Sequence, residues 1–125
     1  MKPGWKWLSA ACVAASLSFA ALDAAAQGMP IADGTHWMAS SDAEKTAFVI
    51  GVANTLALEL AYATKTGKTD LSAGDRASKV LANVSIADVS SRITAWYRAN
   101  PGRMNMPVVG VIWVDMVKPK LAQKG

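Results

Sequence analysis

Residues 84–117, VSIADVSSRITAWYRANPGRMNMPVVGVIWVDMV, decide the fold, because they contain two apolar segments joined by a turn with proline and glycine. Ser85 is placed to cap a helix that begins at Ile86, and Asp88 adds the negative charge that favours a helix N-terminus. Asp88 and Arg92 are four residues apart and predict an ion pair on the helix surface. The apolar residues recur at helical spacing and predict one buried face, formed by Ile86, Val89, Ile93, Trp96 and Tyr97.

The second apolar segment follows a clear stop. Asn100 suits a helix C-cap, and Pro101 cannot continue the helical hydrogen bonds. Pro107 then suits the first turn of a new helix. The β-branched residues that follow would also suit a buried strand, but the chain offers no second strand to pair with it. We therefore predict a second helix that ends at Pro119.

The first 26 residues have the tripartite pattern of a secretory signal peptide: two lysines, an apolar run, and an Ala-Ala-Ala cleavage site before Gln27. An uncleaved membrane anchor is the alternative, since the apolar run is nearly long enough to span a bilayer. The Ala- and Ser-rich composition of the run favours cleavage. We predict a signal peptide at residues 1–26 and a single helical domain at residues 27–125, in the periplasm or outside the cell.

Composition limits the function of this domain. The only cysteine, Cys12, falls in the predicted signal peptide, so the remaining 99 residues exclude a disulfide framework, a thiol nucleophile and a thiolate metal site. Removing Lys2, Lys6 and Asp23 from the 13 basic and 9 acidic residues leaves a scattered net charge near +3, which does not favour a nucleic-acid partner. No catalytic or phosphate-binding motif is recognisable, and we predict no enzymatic activity, cofactor or metal.

A capping box at residues 41–44 opens the longest predicted helix, residues 42–64. Because this helix is apolar almost all round, we predict that other helices surround it and that Gly51 lets one of them approach closely. A membrane span is the competing interpretation. Asn54 and Glu59 make it costly, so we predict no stable membrane insertion. The chain as a whole predicts an all-α, compact bundle of about four helices without disulfides.

The shorter segments have weaker patterns. Residues 27–39 show no periodicity and are predicted to lie across the surface. His36, the only histidine, has the chemistry of a general base or a metal ligand, but no partner residue is placed with it. We therefore prefer an exposed histidine beside an anchoring Trp37. Residues 65–74 are predicted to form a polar loop, and residues 75–83 a short helix with three inward residues, Ala77, Val80 and Leu81.

Three residues of the long helix, Thr55, Glu59 and Tyr62, fall on one side at helical spacing. They would line a pocket or form a solvated edge, and we favour the edge. Glu59 on an apolar helix would have a raised pKa if it were buried. A lone carboxylate still does not make a mechanism.

The order of motifs resembles small exported helical proteins of the Tai-type immunity family, which act against type VI secretion amidases, and uncharacterised bacterial exported proteins of the same build. The resemblance is carried by the capping box, an aromatic-x-x-Gly helix at residues 48–51, a helix with an Asn-Pro turn at residues 96–101, and a last apolar helix at residues 107–117. Family members usually carry a pair of disulfide-forming cysteines. This chain has none after residue 12.

The resemblance implies a non-enzymatic periplasmic inhibitor that blocks the cleft of a peptidoglycan amidase with a loop. Two polar loops, residues 65–70 and 101–105, are predicted to be presented by the helices. Arg103 is the best single candidate, because tight inhibitors often bury an arginine anchor. The full set of predicted partner-binding residues is Arg103, Lys65, Lys68, Asp70 and Asn105.

The alternative function is a periplasmic chaperone or assembly subunit that acts through apolar helix surfaces. It is suggested by the excess of apolar helix and by six methionines, of which Met104, Met106 and Met116 lie in or near the last helix. Methionine suits adaptable contacts, although ordinary packing would use the same residues. Either function needs a protein partner, and both are compatible with a homodimer.

Overall fold

The structure, a computed structural model, describes residues 30–124, so the predicted signal peptide lies outside the described residues. The described chain is all-α, as predicted, with one isolated bridge between Asp33 and Pro107 as its only β-type pairing. Its elements are α1 (Gly34–Ala39), α2 (Asp42–Lys65), α3 (Ala73–Leu81), α4 (Ile86–Ala99), a 3-10 turn (Pro101–Arg103), α5 (Val108–Val111), a π-helical segment (Ile112–Val117) and α6 (Lys118–Ala122).

Helix α4 is the centre of the bundle. It begins at Ile86 behind the Ser85 cap, as the sequence predicts, and Asp88 lies in its first turn. Three residues of the predicted apolar face are buried, with Val89 5%, Ile93 0% and Tyr97 1% exposed. The other two, Ile86 and Trp96, are partly buried and pack against the core. Residues 108–117 are helical and pack on this face, which confirms the choice of helix over strand.

Arg92 makes a different ion pair from the predicted one. Its guanidinium lies 2.9 Å from the carboxylate of Asp115, whereas Asp88 accepts a hydrogen bond from the Ser85 hydroxyl at 2.7 Å. The prediction of an Asp88–Arg92 pair is therefore wrong. Arg92 of α4 instead forms its ion pair with Asp115 of the π-helical segment, so the pair joins two elements and does not lie within one helix.

The same arginine explains why Pro119 does not end the last helix. Helix α6 continues to Ala122 with Pro119 in its first turn, so the predicted end was wrong. A proline leaves the carbonyl four residues earlier, here that of Asp115, without its α-helical donor. The Arg92 guanidinium supplies a donor to that carbonyl oxygen at 2.8 Å. The π-helical turn just before the proline is the kind of irregularity that accommodates such a break.

Residues 34–39 form helix α1, where the sequence predicted an irregular surface segment. The Asp33 carboxylate accepts a hydrogen bond from the backbone N–H of His36 and caps the helix. Trp37 is 3% exposed, and its indole N–H donates to Thr94 Oγ1 at 2.9 Å. Trp37 thus anchors this segment, as predicted, but as a buried core residue that holds α1 against α4.

Helix α2 has the predicted capping box but not the predicted position in the core. Only Val49 and Ala63 are buried, and the side of the helix away from α3 and α4 is exposed. The prediction that other helices surround α2 is therefore wrong. A helix that is apolar on every side carries no periodic signal to show which side is covered.

Gly51 has no close neighbour, which also contradicts the prediction. A Cβ atom at this position would meet nothing within 4 Å. We expect Gly51→Ala to raise the free energy of unfolding of dilute protein by about 0.5–1 kcal/mol, because glycine is the costlier residue in a helix interior. Urea unfolding followed by circular dichroism measures this change. A clear decrease in the free energy of unfolding would mean that another part of the protein packs against Gly51 in solution and clashes with the added methyl group.

Helix α3 covers the end of α2 and begins two residues earlier than predicted. Ser72 and Asp75 form a capping box that the sequence analysis missed. The Ser72 hydroxyl also hydrogen bonds to the Glu59 carboxylate of α2. The three predicted inward residues of α3, Ala77, Val80 and Leu81, all belong to or pack against the core.

Candidate protein-binding surfaces

The turn after α4 is an exposed loop with a fixed backbone. In residues 100–106, the Asn100 side chain donates to the carbonyl of Trp96 at 2.8 Å. The carbonyl of Met104 accepts from Gly34 N–H at 2.8 Å, and that of Met106 accepts from the Tyr97 hydroxyl at 2.7 Å. The loop is thus tied to α1 and α4 at several points. Binding through such a loop needs little ordering of the backbone.

Arg103 stands at the tip of the 100–106 loop. It is exposed, and its guanidinium carbon lies 5.2 Å from the ring centroid of Trp96, which is a cation–π distance. Asn105 is exposed two residues further on. The aromatic ring restricts the arginine side chain, so less conformational entropy is lost when a partner binds it.

Tyr97 connects this loop to the core. Its ring is buried edge-on to Trp96, at 5.4 Å between centroids, and a Cβ atom on Gly34 would lie 2.5 Å from its Cε1 atom. Burial, with a smaller effect of the Asp33 charge, raises the pKa of Tyr97 to about 12. The hydroxyl therefore stays protonated, as a donor to the Met106 carbonyl must be.

The other predicted partner-binding residues lie after the end of α2. Lys65, Lys68 and Asp70 are exposed. Lys68 forms a long ion pair within the protein, because its ammonium lies 4.0 Å from the fully buried carboxylate of Asp75. That carboxylate also accepts a hydrogen bond from the Ser72 backbone at 2.9 Å.

The structure does not bring the two predicted loops together. The 100–106 loop is bonded to the start of α1, and α1 leads directly into the N-terminus of α2. Residues 65–70 begin where α2 ends. A helix of 24 residues is about 36 Å long. The two loops thus belong to different ends of α2, and each is a separate candidate surface.

Thr55, Glu59 and Tyr62 do not form a shared site. Glu59 hydrogen bonds to Ser72, Thr55 donates to the Gly51 carbonyl at 2.9 Å, and Tyr62 is 68% exposed. The solvated edge favoured from the sequence describes them better than a common pocket. Of the three, only Thr55 lines an apolar groove between α2 and α5.

His36 is exposed, as preferred from the sequence, and its Nδ1 atom lies 2.8 Å from the Asp33 carboxylate. The hydrogen bond from the His36 backbone, together with that from its ring, holds the pKa of Asp33 below its usual value. A hydrogen bond from the Ser41 backbone similarly lowers the pKa of Glu44. Both carboxylates serve as helix caps. Within residues 30–124, no group of three or more metal-ligating side chains lies together.

A further surface was missed from the sequence, namely the exposed side of α2. Leu58 is 72%, Tyr62 68% and Ile50 43% exposed, which is unusual for large apolar side chains. We call this surface the outer face, and it consists of Ala47, Ile50, Gly51, Asn54, Ala57, Leu58, Ala61 and Tyr62.

An apolar groove of about 500 Å³ borders the N-terminal half of the outer face. It runs between α2 and α5, with half-exposed Val109 on the far side. Its lining is almost wholly apolar and includes Ala47, Phe48, Gly51, Val52, Thr55 and Leu56. Because α2 is apolar on every side, the sequence could not show which side borders a groove.

By length and composition, α2 is also the one helix among the described residues that is long and apolar enough to cross a membrane. Core helices of soluble proteins share this length and composition. Two polar residues, Asn54 and Glu59, interrupt it. The carboxylate of Glu59 is bonded to α3, so this side of α2 belongs to the bundle.

The motifs that carry the resemblance to Tai-type immunity proteins lie in separate parts of the structure. The Asn-Pro turn leads into the 100–106 loop, and the aromatic-x-x-Gly segment lies on α2 beside the groove. Comparison of the chain with protein-family models, curated proteins and solved structures yields no match.

Proposed function

We propose that this chain is a non-enzymatic protein-binding domain of the bacterial envelope that inhibits a peptidoglycan amidase. The observation that carries the proposal is the 100–106 loop, which is exposed at its tip and fixed at its base by hydrogen bonds to Met104 and Met106. Inhibitors that bind a cleft gain affinity from such preorganisation. The leader-like pattern of residues 1–26 supports a location in the envelope.

Arg103 is the proposed anchor. Arginine is enriched among the residues that dominate binding energy, and here Trp96 already orients the side chain. Asn105 would supply hydrogen bonds beside it. Lys65, Lys68 and Asp70 stand at the other end of α2, and we propose them as a secondary contact with a large partner.

The experiment is binding and inhibition with a peptidoglycan amidase encoded by the same organism. We expect the exported protein to co-elute with the amidase, and Arg103→Ala to weaken binding by about 30-fold, the usual effect of removing a dominant interface residue. Arg98→Ala is the matched control, since it removes an exposed arginine of α4 near the loop. The proposal is wrong if no amidase binds, or if the two variants behave alike.

A chaperone or assembly subunit is the second candidate, and the outer face of α2 favours it. Exposed Leu58 and Tyr62, together with the apolar groove along the N-terminal half of the same face, would suit the apolar segments of unfolded clients. This function predicts that substoichiometric protein suppresses aggregation of unrelated unfolded proteins, and that Leu58→Asp abolishes the effect. Absence of suppression would exclude it.

A further inference from the structure

The outer face of α2 has a polar residue only at its centre. Between Ala47 and Tyr62, the residues that define the outer face include one amide, that of Asn54, and residues 47, 54 and 61 are spaced by heptads. The exposed Thr55 and Glu59 flank this face, and Glu59 is bonded to Ser72. Such a series is the pattern of a helix that packs along another helix. A lone polar residue inside an apolar seam commonly fixes the register of the pairing.

We propose that this face is the interface of a symmetric dimer, in which the α2 helices of two copies pack antiparallel with Asn54 on the two-fold axis. A residue on the axis meets its own copy. An amide carries both a donor and an acceptor, so two Asn54 side chains satisfy each other. The Asn54 amide at the centre of the interface then costs little to bury, whereas an apolar partner without a matching amide would leave it unsatisfied.

The two halves of the outer face are complementary in shape under this symmetry. The N-terminal half has small residues, Ala47 and Gly51, beside the groove, and a Cβ atom on Gly51 would meet nothing within 4 Å. The C-terminal half carries protruding Leu58 and Tyr62. Residues equidistant from Asn54 lie at the same level in the two copies, so Leu58 of one copy is level with Ile50 of the other. Gly51, the next residue, leaves space for the Leu58 side chain beside that contact.

The ends of the helix favour the antiparallel direction. The first turn of α2 contains Asp42 and Glu44, and its last turn contains Lys65. Antiparallel pairing sets Glu44 of each copy near Lys65 of the other, and it also opposes the two helix dipoles. Parallel pairing would place Lys65 against Lys65 and each acidic turn against its copy.

Disulfide trapping tests both the contact and its direction. The full chain is used with Cys12→Ser, so that each introduced thiol is unique. Helices packed 8–10 Å apart bring facing Cα atoms to roughly 5 Å, within disulfide range. We expect Asn54→Cys to oxidise to a covalent dimer, measured on non-reducing gels and by mass spectrometry of the linked peptides.

Two further variants are the controls for direction. In an antiparallel pair centred on Asn54, two copies of Ala47→Cys lie about 21 Å apart along the axis and should not cross-link. A mixture of Ala47→Cys and Ala61→Cys should give a mixed dimer. Efficient self-linking of Ala47→Cys would instead show a parallel or non-specific contact, and failure of Asn54→Cys to link would contradict the proposed axis.

Sedimentation of the uncrosslinked protein tests the apolar contact. Leu58→Asp places two charges in the symmetric seam and should raise the dimer dissociation constant by at least about 100-fold. Ile31→Asp is the matched control, because Ile31 is 67% exposed but lies outside α2. Both variants should keep the helical circular dichroism spectrum, since neither side chain is buried. A protein that stays monomeric at all concentrations, or that inserts α2 into lipid vesicles, overturns the proposal.

The dimer does not depend on the inhibitor proposal, because the 100–106 loop is outside the outer face. If Leu58→Asp abolished the dimer but retained amidase binding, the dimer interface and the amidase-binding surface would be shown to be different surfaces. Suppression of aggregation by wild-type protein, without trapping through Asn54→Cys, would assign the face to client proteins and contradict the dimer.

Discussion

Replacing Trp37 with alanine should lower the free energy of unfolding by about 3–5 kcal/mol, the cost of deleting a large aromatic side chain from a core. The indole is 3% exposed and meets Phe48 of α2 edge-on at 6.2 Å, while its N–H is bonded to Thr94 of α4. Three helices therefore meet on this one side chain. Because a domain of this size is typically stable by only about 5–15 kcal/mol, much of its stability should be lost.

Urea unfolding followed by far-ultraviolet circular dichroism measures the effect. Trp37→Phe keeps an aromatic ring and should cost clearly less than the alanine variant. Met38→Ala is the positional control, since Met38 is the next residue of α1 but is exposed. If Trp37→Ala and Met38→Ala had equal stability, α1 would not be docked in solution as the structure has it.

The position of Trp37 also shows where sequence reasoning stopped. Helix α4 was predictable because Ser85, Asp88 and a regular apolar face all indicate the same boundaries. Helix α1 has six residues and one cap, Asp33, which is too little periodic pattern to recognise. A tryptophan near the start of a domain indicates an anchor, but not the helix that carries it.

Contacts between helices could not be predicted from the sequence either. The sequence places Arg92 near Asp88, whereas the fold offers Asp115 with both a carboxylate and a carbonyl freed by Pro119. For α2, the length and cap could be predicted, but not its exposed side, because every side is apolar. The candidate loops were identified from polarity alone. Their separation by the length of α2 depends on tertiary structure that no local pattern reports.

Tyr97 is the second residue whose loss should have a large effect, because it joins the core to the 100–106 loop. Tyr97→Ala should lower the free energy of unfolding by about 3–5 kcal/mol, since the ring is 1% exposed and packs directly on Gly34. Tyr97→Phe keeps the ring but leaves the Met106 carbonyl without the hydroxyl, and should cost about 1–2 kcal/mol. The comparison separates the packing of the ring from its hydrogen bond.

The pH dependence of this difference identifies the hydroxyl as the cause. The pKa of Tyr97 is raised from 10.0 to about 12 in the folded protein, so the folded state holds the proton more tightly than the unfolded chain. The stability that comes from the protonated hydroxyl is therefore complete below pH 10 and is lost as the pH rises toward 12. We expect the stability difference between wild type and Tyr97→Phe to shrink across this range. A difference that stays constant would assign the effect to packing.

The same variant tests how rigid the proposed inhibitory loop must be. Tyr97→Phe leaves every exposed side chain of the 100–106 loop unchanged, including Arg103, and releases only the anchor at Met106. If preorganisation provides affinity, binding to the amidase should weaken at conditions where both proteins are fully folded, because the loop must then be ordered on binding. Arg103→Ala removes the contact itself. Equal affinity of Tyr97→Phe and wild type, with Arg103→Ala impaired, would mean that the arginine binds without help from the fixed backbone.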